Sequence, residues 1–164
     1  MKVFGGARPV TPSLRSVETG AVHPGRIPQW ASGYVGVPFA EHGRSPHGWD
    51  CWGLVWWCFK EHLAVILPSF AADYRDPADA AEIARVMASR MSDWRAIGPG
   101  VRPRLGDVAL LRVGRWPGHV GLVMDRRRML HVERNIRTQF EDYDGPMWAR
   151  RLLGLYRHRA LDHA

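Results

Sequence analysis

A cysteine at the junction between a polar, glycine-rich segment and an apolar one constrains this chain more than any other feature. Residues 41–48 are rich in turn formers, whereas residues 52–67 are mainly apolar and contain few helix breakers. Apolar side chains recur there at three- and four-residue spacing, which predicts a buried helix over residues 50–64. Cys51 therefore lies in the first turn of that helix.

The first turn of a helix favours an anion. Its backbone N–H groups have no intrahelical acceptor, and the helix dipole is positive there. Both effects predict that the pKa of the Cys51 thiol falls from about 8.5 toward about 3.5–7.5, as in a nucleophile. The alternative is a small core residue, because free cysteine is among the most buried residue types.

The chain has two cysteines, Cys51 and Cys58. On one helix their Cα atoms lie about 10 Å apart, beyond the roughly 7 Å that a disulfide spans. We therefore expect two free thiols, with Cys58 filling the core. A metal site built from both cysteines with His119 and His131 lacks the close ligand spacing of common zinc sites, so we expect no metal and no other cofactor.

Length and composition indicate one domain with an N-terminal extension. Residues 1–27 are rich in Gly, Pro, Arg, Ser and Thr and predict an extended arm, which leaves 28–164 as the domain. No stretch approaches about 20 uninterrupted apolar residues, so no membrane span is expected, and the N-terminus lacks the apolar region of a secretory signal. The net charge is +7, but the arginines are scattered, which argues against nucleic-acid readout.

The second half of the chain predicts strands. A short helix near Pro28, the helix over 50–64 and a surface helix starting at Asp76-Pro77 come first. A turn over 114–118 then separates two of the four predicted strands, which span 108–113, 119–124, 129–132 and 152–156. Helices followed by a meander of strands indicate an α+β domain with an antiparallel sheet.

Two histidines lie in neighbouring predicted strands. If a three- or five-residue loop centred on Asp125 joins these strands, His119 and His131 are direct cross-strand partners with Cβ atoms about 4.5–5.5 Å apart. A thiol nucleophile needs a base, and a second polar group orients that base. Cys51, His119 and His131 fit these three roles. The alternative for each histidine is a hydrogen-bonded structural residue, since the chain has eight.

Four ordered motifs resemble those of the NlpC-type cell-wall cysteine peptidases. Residues 50–55 (DCWGLV) resemble the D-C-x-G-L-V signature of that family, residues 106–108 (GDV) its strand start, and residues 119–123 (HVGLV) its histidine strand. His131 matches the polar third member. The resemblance covers about residues 28–157 and implies a reduced papain-like fold, in which the catalytic cysteine opens a helix packed on an antiparallel sheet.

The resemblance also implies roles for single residues. Cys51 would form a thioester with the substrate, His119 would act as base and then acid, and His131 would orient His119. The Cys51 backbone N–H would be one oxyanion donor. Many relatives place a tyrosine twelve residues before the cysteine, where this chain has Phe39. A second donor would then come from Trp49, Ser45 or His47, and the residues expected to line the cleft beside them are Phe39, Asp50 and Trp52.

Further segments resemble phage-tail and gene-transfer-agent members of the family; these are residues 39–44, 67–68, 129–134 and 155–158. This resemblance implies an endopeptidase that cuts peptidoglycan stem peptides between D-Glu and the diamino acid. It would be made in the bacterial cytoplasm without a signal peptide, carried with tail or baseplate proteins of a particle, and act in the periplasm or cell wall. The alternatives are a tail structural protein with an idle site, which Phe39 favours, and an amidase or acyltransferase using the same three residues.

Overall fold

The computed structural model describes residues 26–76 and 79–162. The predicted arm therefore lies outside the described residues up to position 25, as does Pro77 of the predicted helix start. The helices are α1 (Gln29–Ser32), α2 (Cys51–His62) and α3 (Ala80–Ala88), with short 3-10 turns at Met91–Asp93 and Arg159–Leu161. The strands are β1 (Arg44–Ser45), β2 (Gly48–Trp49), β3 (Trp94–Ala96), β4 (Val108–Val113), β5 (Trp116–Val123), β6 (Arg128–His131), β7 (Gln139–Asp142) and β8 (Leu152–His158).

Six of the strands form one antiparallel sheet in the order β3-β8-β4-β5-β6-β7. Strands β1 and β2 form a separate hairpin immediately before α2. The predicted α+β class is confirmed. No helix in the described ranges combines the length and the apolar character needed to cross a membrane.

Helix α2 packs on one face of the sheet, close to the predicted bounds. Leu54, Val55 and Phe59 are fully buried and share a core with Val120 and Leu122 of β5. Burying an apolar side chain of this size contributes about 1.5–3 kcal/mol, so this contact fixes the helix against β5. Because side chains alternate along a strand, the opposite face of the sheet has its own core, which contains Leu111, Val123, Met129, Tyr143 and Trp148.

The turn between β4 and β5 is shorter than predicted. Val113 pairs with Trp116, which leaves only Gly114 and Arg115 in the turn, and Gly114 has a φ of +58°. Pro117 lies inside β5 opposite Arg112. The prediction of a turn through position 118 is wrong, because Pro117 and Gly118 are accommodated where strand β5 begins.

The register of β5 and β6 also differs from the prediction. Leu122 pairs with Leu130 and Val123 with Met129, so the loop is centred on Arg126 rather than Asp125. His119 and His131 are therefore diagonal neighbours, not direct partners. Relative to the predicted register, the strands are shifted by two residues. A shift by an even number of residues keeps both histidines on the same face of the sheet.

Candidate active site

Cys51 is the first residue of α2, and its thiol lies against strand β5. The side chain of Asp50 caps the helix by accepting a hydrogen bond from the Gly53 N–H at 2.7 Å. The backbone N–H groups of Val120 and Trp52 are directed at the Cys51 sulfur. Cys51 and His119 line the same cleft, so the cap and the α2–β5 packing place the thiol and the predicted base at one opening.

The Asp50 carboxylate is enclosed by hydrogen-bond donors. It is 2% exposed, and Arg44 Nη1 lies 3.0 Å from both of its oxygens. The hydroxyl of Tyr74 donates to it as well. Arg44 also donates to the carbonyl of Ser69 through Nη2, at 2.7 Å. This network fixes the start of α2 and joins it to the loop over 69–74.

The thiol is not a resting thiolate. Burial and, to a smaller extent, the Asp50 carboxylate raise the pKa of Cys51 to about 12, although the Val120 and Trp52 N–H groups act in the opposite direction. The expectation of a lowered pKa is therefore wrong, because burial of the thiol disfavours the thiolate and the Asp50 carboxylate already occupies the positive end of α2. At neutral pH Cys51 is a neutral thiol that needs a base to remove its proton.

His119 and His131 form a buried pair next to this thiol. The two side chains belong to residues that are 4% and 0% exposed, and His119 Nε2 lies 3.2 Å from His131 Nδ1. Trp148 stacks on His119 with ring centroids 5.4 Å apart. Burial, with smaller contributions from His131 and Arg151, holds the pKa of His119 well below its ordinary value. His119 is therefore neutral at neutral pH and able to accept a proton.

A cleft of about 310 Å³ opens at Cys51 and His119. Phe39, Asp50 and Trp52 are among the residues that line it, and so is Val86 of α3. Trp52 is held by a hydrogen bond from its indole N–H to the Pro68 carbonyl at 3.0 Å and packs against Phe70, with ring centroids 5.3 Å apart. The wall beside the thiol is thus aromatic.

Three residues predicted at the cleft do not reach it. Trp49 is 0% exposed, and its indole N–H is donated to Thr138 Oγ1 at 2.8 Å. Ser45 and His47 lie in the β1–β2 hairpin, and neither lines the cleft. None of the three therefore supplies the second oxyanion donor. Closeness to Cys51 in sequence therefore does not place these side chains at the cleft.

Four further residues build the site and were not predicted. Arg44 and Tyr74 hold Asp50, Trp148 stacks on His119, and Glu141 of β7 lies behind His131. All are distant in sequence from the groups they touch, except Arg44. In the described part of the chain, no group of three histidine, cysteine or acidic side chains is placed to hold a metal ion. The cysteines Cys51 and Cys58 are both free thiols, as predicted.

A thiol at a helix start, with a histidine pair on two neighbouring strands of the sheet, is the arrangement of groups that nucleophilic catalysis by cysteine uses. The family model described as the NlpC/P60 family matches residues 36–157. The chain therefore belongs to the NlpC/P60 family, a family of cysteine peptidases and peptidoglycan hydrolases.

Solved structures of this family share the fold. An NLP/P60 family protein of Staphylococcus aureus, described as similar to a lipoprotein, has a TM-score of 0.56 and 22% identity over 78% of this chain and 38% of its own. An NlpC/P60 family protein of Bacillus cereus has a TM-score of 0.58 and 17% identity over 78% of this chain and 37% of its own. The P60 domain of an antigen of M. avium subspecies paratuberculosis has a TM-score of 0.50 and 18% identity, over 78% and 88%.

This chain thus spans less than two fifths of the length of the first two structures. With identities of 22% and 17%, the structural similarity shows a common fold alone. No curated protein matches the chain significantly.

Proposed function

We propose that this protein is a cysteine endopeptidase that cuts the stem peptides of peptidoglycan. The observation that carries the proposal is that Cys51, at the start of α2, lines the same cleft as His119, which is buried, neutral and 3.2 Å from His131. The family to which the chain belongs acts on cell walls, which supports the substrate.

Attack on the substrate requires one proton transfer. As the Cys51 sulfur bonds to the peptide carbonyl carbon, the thiol proton passes to a ring nitrogen of His119 and the carbonyl π electrons move to oxygen. Nδ1 of His119 is the available nitrogen, since Nε2 contacts His131. The Cys51 backbone N–H lies in the first turn of α2, where N–H groups have no intrahelical acceptor, and is the donor for the oxyanion.

The tetrahedral intermediate then collapses as the electrons on its oxyanion re-form the carbonyl double bond. The C–N bond breaks, the proton on His119 Nδ1 passes to the leaving amine, and Cys51 holds the acyl group as a thioester. Water next gives a proton to His119 while its oxygen bonds to the thioester carbonyl carbon. The C–S bond then breaks as the carbonyl re-forms, and the proton on His119 passes to the departing sulfur. The products are an amine, a carboxylic acid and the free thiol.

The resemblance of the sequence motifs supports the bond between D-Glu, or D-iso-Gln, and the diamino acid as the one that is cut. Motifs such as residues 39–44 and 129–134 support delivery in the tail of a phage or gene transfer agent, where baseplate or tail proteins are the partners. The protein would then reach the periplasm or cell wall as part of a particle.

The second candidate is a tail structural protein with an idle site. Phe39 favours it, because this side chain lines the cleft and carries no hydroxyl for an oxyanion. The Arg134 guanidinium lies 5.8 Å from the centroid of this ring and is paired with Glu41 at 2.6 Å. The ring at position 39 is thus packed within a network of side chains at the rim of the cleft.

Digestion of purified sacculi separates the candidates. The wild type, Cys51→Ala and the matched variant Cys58→Ala are incubated with sacculi, and the soluble products are identified by mass spectrometry. We expect new stem-peptide fragments from the wild type and from Cys58→Ala, and none from Cys51→Ala. Release of intact stem peptides would identify an amidase instead. Absence of products from all three proteins would contradict the proposal and favour the structural role.

A further inference from the structure

We propose that Glu141 is a positioning residue that fixes the tautomers of His131 and, through it, of His119. The inference rests on the proposed function for its catalytic meaning, but the protonation pattern that it predicts is measurable without substrate. Glu141 lies on β7, a strand that the sequence did not predict, at the edge of the sheet.

The histidine pair leaves one buried nitrogen facing this carboxylate. His131 Nδ1 is engaged with His119 Nε2, and His131 Nε2 lies 3.4 Å from Glu141 Oε2. That nitrogen is buried and has no formal hydrogen-bond partner among the described residues. A buried imidazole N–H next to a carboxylate oxygen is stabilised by it, whereas a bare nitrogen lone pair is repelled.

The carboxylate is itself held in place. The side-chain amide of Gln139 donates to Glu141 Oε1 at 2.8 Å, and the Trp148 indole N–H donates to Oε2. The β6–β7 register pairs His131 with Gln139 and Met129 with Glu141, which puts His131 and Glu141 on one face of the sheet. Trp148 also stacks on His119, so its indole contacts both Glu141 and His119, the two ends of the series Glu141–His131–His119.

Two arrangements of protons are possible in the neutral pair, because one hydrogen bond joins the rings. In the first, His119 Nε2–H donates to His131 Nδ1, and the remaining proton of His131 is on Nε2, facing Glu141. His119 Nδ1 is then bare and able to take the proton of Cys51. In the second, His131 Nδ1–H donates to His119 Nε2, and His119 carries its own proton on Nδ1.

The second arrangement is both strained and unproductive. It sets the bare Nε2 of His131 against the Glu141 carboxylate, and it leaves His119 without a free nitrogen for the thiol proton. Glu141 therefore selects the first arrangement, in which the base is ready. A tautomer error of this kind lowers turnover strongly in other nucleophile–histidine sites, by up to about 10⁴-fold.

Nitrogen-15 NMR of the imidazole rings tests the assignment directly. Proteins labelled at histidine are prepared as wild type, Glu141→Gln and Glu133→Gln, and the protonated nitrogen of each ring is read from its chemical shift. Glu133 is the matched control, because it also raises the pKa of His131 by its charge but is hydrogen-bonded to Arg151 at 3.0 Å. Neither variant needs substrate or activity for this measurement.

We expect Nε2–H on both His119 and His131 in the wild type and in Glu133→Gln. In Glu141→Gln a neutral amide replaces the charge that faces His131 Nε2, so the preference for a proton on that nitrogen weakens and a larger fraction of His131 carries its proton on Nδ1 than in the wild type. A wild-type His131 protonated on Nδ1, or tautomers unchanged in Glu141→Gln, would overturn the proposal.

A kinetic cycle separates positioning from a purely structural effect. If the proposed activity holds, Glu141→Gln lowers kcat by about 10- to 100-fold with little change in KM. In a His131→Asn background the same change has an effect below about twofold, because an amide has no tautomers to select. An equal loss of kcat in both backgrounds would mean that Glu141 acts by holding the Trp148 indole and not by selecting a tautomer. Because the tautomers are read without turnover, an inactive wild type would contradict the proposed function and leave the positioning test intact.

Discussion

A carboxylate lies next to Cys51 and another lies next to His131, but the two carboxylates have different surroundings. Asp50, behind Cys51, is 2% exposed and accepts from a backbone N–H, a guanidinium and a hydroxyl. Glu141, behind His131, has a side chain that is 30% exposed and faces an imidazole nitrogen that can carry or lack a proton. The donors around Asp50 are always protonated, whereas Glu141 faces His131 Nε2, a nitrogen whose protonation the carboxylate can select.

This difference separates stability from proton control. Asp50 raises the pKa of the adjacent thiol, so it does not activate Cys51; it fixes the start of α2 and compensates Arg44. Glu141 does not touch the thiol, yet it lies at the end of the chain of groups that removes the thiol proton. Substitution of the carboxylate Asp50 is therefore expected to change mainly stability, and substitution of Glu141 mainly turnover.

The largest effect is expected for the base. His119→Gln removes the group that accepts the thiol proton, so turnover on stem peptides should fall by about 10²–10⁴-fold. The free energy of unfolding should change by less than about 1.5 kcal/mol, because one hydrogen bond to His131 is lost. Rates from a product assay and urea unfolding curves measure the two quantities. Turnover within tenfold of the wild type would contradict the assignment of the base.

On the other side, Asp50→Ala should cost stability. It removes the helix cap and leaves the Arg44 guanidinium, whose side chain is 13% exposed, without its carboxylate. Breaking a buried pair of this kind costs about 3–5 kcal/mol, measured by urea unfolding. The double variant Arg44→Met/Asp50→Ala is the control, and we expect it to be more stable than Asp50→Ala. A loss below about 1 kcal/mol would show that the pair contributes little to the fold.

A smaller loss is expected when the Tyr74 hydroxyl is removed. Tyr74→Phe deletes a donor to Asp50, and a hydrogen bond to a charged group contributes about 1.5–3 kcal/mol. In the Asp50→Ala background the same change should cost less, because the acceptor of this hydroxyl is absent and only the bond that it accepts from Arg44 Nη2, at 3.1 Å, remains. Equal costs in both backgrounds would show that Tyr74 acts through packing instead.

Acid should destabilise the histidine side in particular. Burial lowers the pKa of both His119 and His131, so below about pH 6.5 the unfolded chain binds protons that the folded chain does not. Stability then falls as the pH drops from 7 toward 5, by at most about 1.4 kcal/mol per pH unit for each histidine. A double His119→Gln/His131→Gln variant should show a flatter slope in urea unfolding at these pH values. An unchanged slope would mean that other groups control the acid sensitivity.

The two thiols differ in access, and their alkylation should reflect this. Cys51 is half-buried at the cleft, whereas Cys58 is 0% exposed in the core. Iodoacetamide should modify Cys51 first, and because its pKa is raised to about 12 the rate should still increase above pH 9. Peptide mapping by mass spectrometry follows each thiol separately. A rate for Cys51 that is constant between pH 5 and 8 would instead indicate a preformed thiolate.

The sequence predicted the elements that local patterns encode. The periodicity after Cys51 predicted α2 to within two residues at either end, and the four central strands were found near their observed positions. The alternation of side chains along paired strands placed His119 and His131 on one face, although the observed register differs from the predicted one by two residues. Helices, strands and face assignment depend on neighbours along the chain, which is why they were accessible.

What the sequence did not predict depends on contacts between distant segments. The Asp50 network needs Tyr74, which lies 24 positions away in a loop, and Glu141 lies on a short edge strand whose residues alternate only weakly. The pKa of Cys51 was predicted in the wrong direction because burial and the cap carboxylate outweigh the helix dipole. Trp49 was assigned to the cleft from its position beside Cys51, but its indole is committed to Thr138 on the far side of the core.

One kinetic comparison tests the central claim, that Cys51 is the reacting group of this fold. Hydrolysis of a synthetic stem tetrapeptide is measured for the wild type and for two variants that each lose one thiol of α2, Cys51→Ala and Cys58→Ala. The account predicts that Cys58→Ala keeps activity within a few-fold of the wild type while it folds, and that Cys51→Ala loses at least about 10³-fold. Hydrolysis by Cys51→Ala at the wild-type rate would contradict the account.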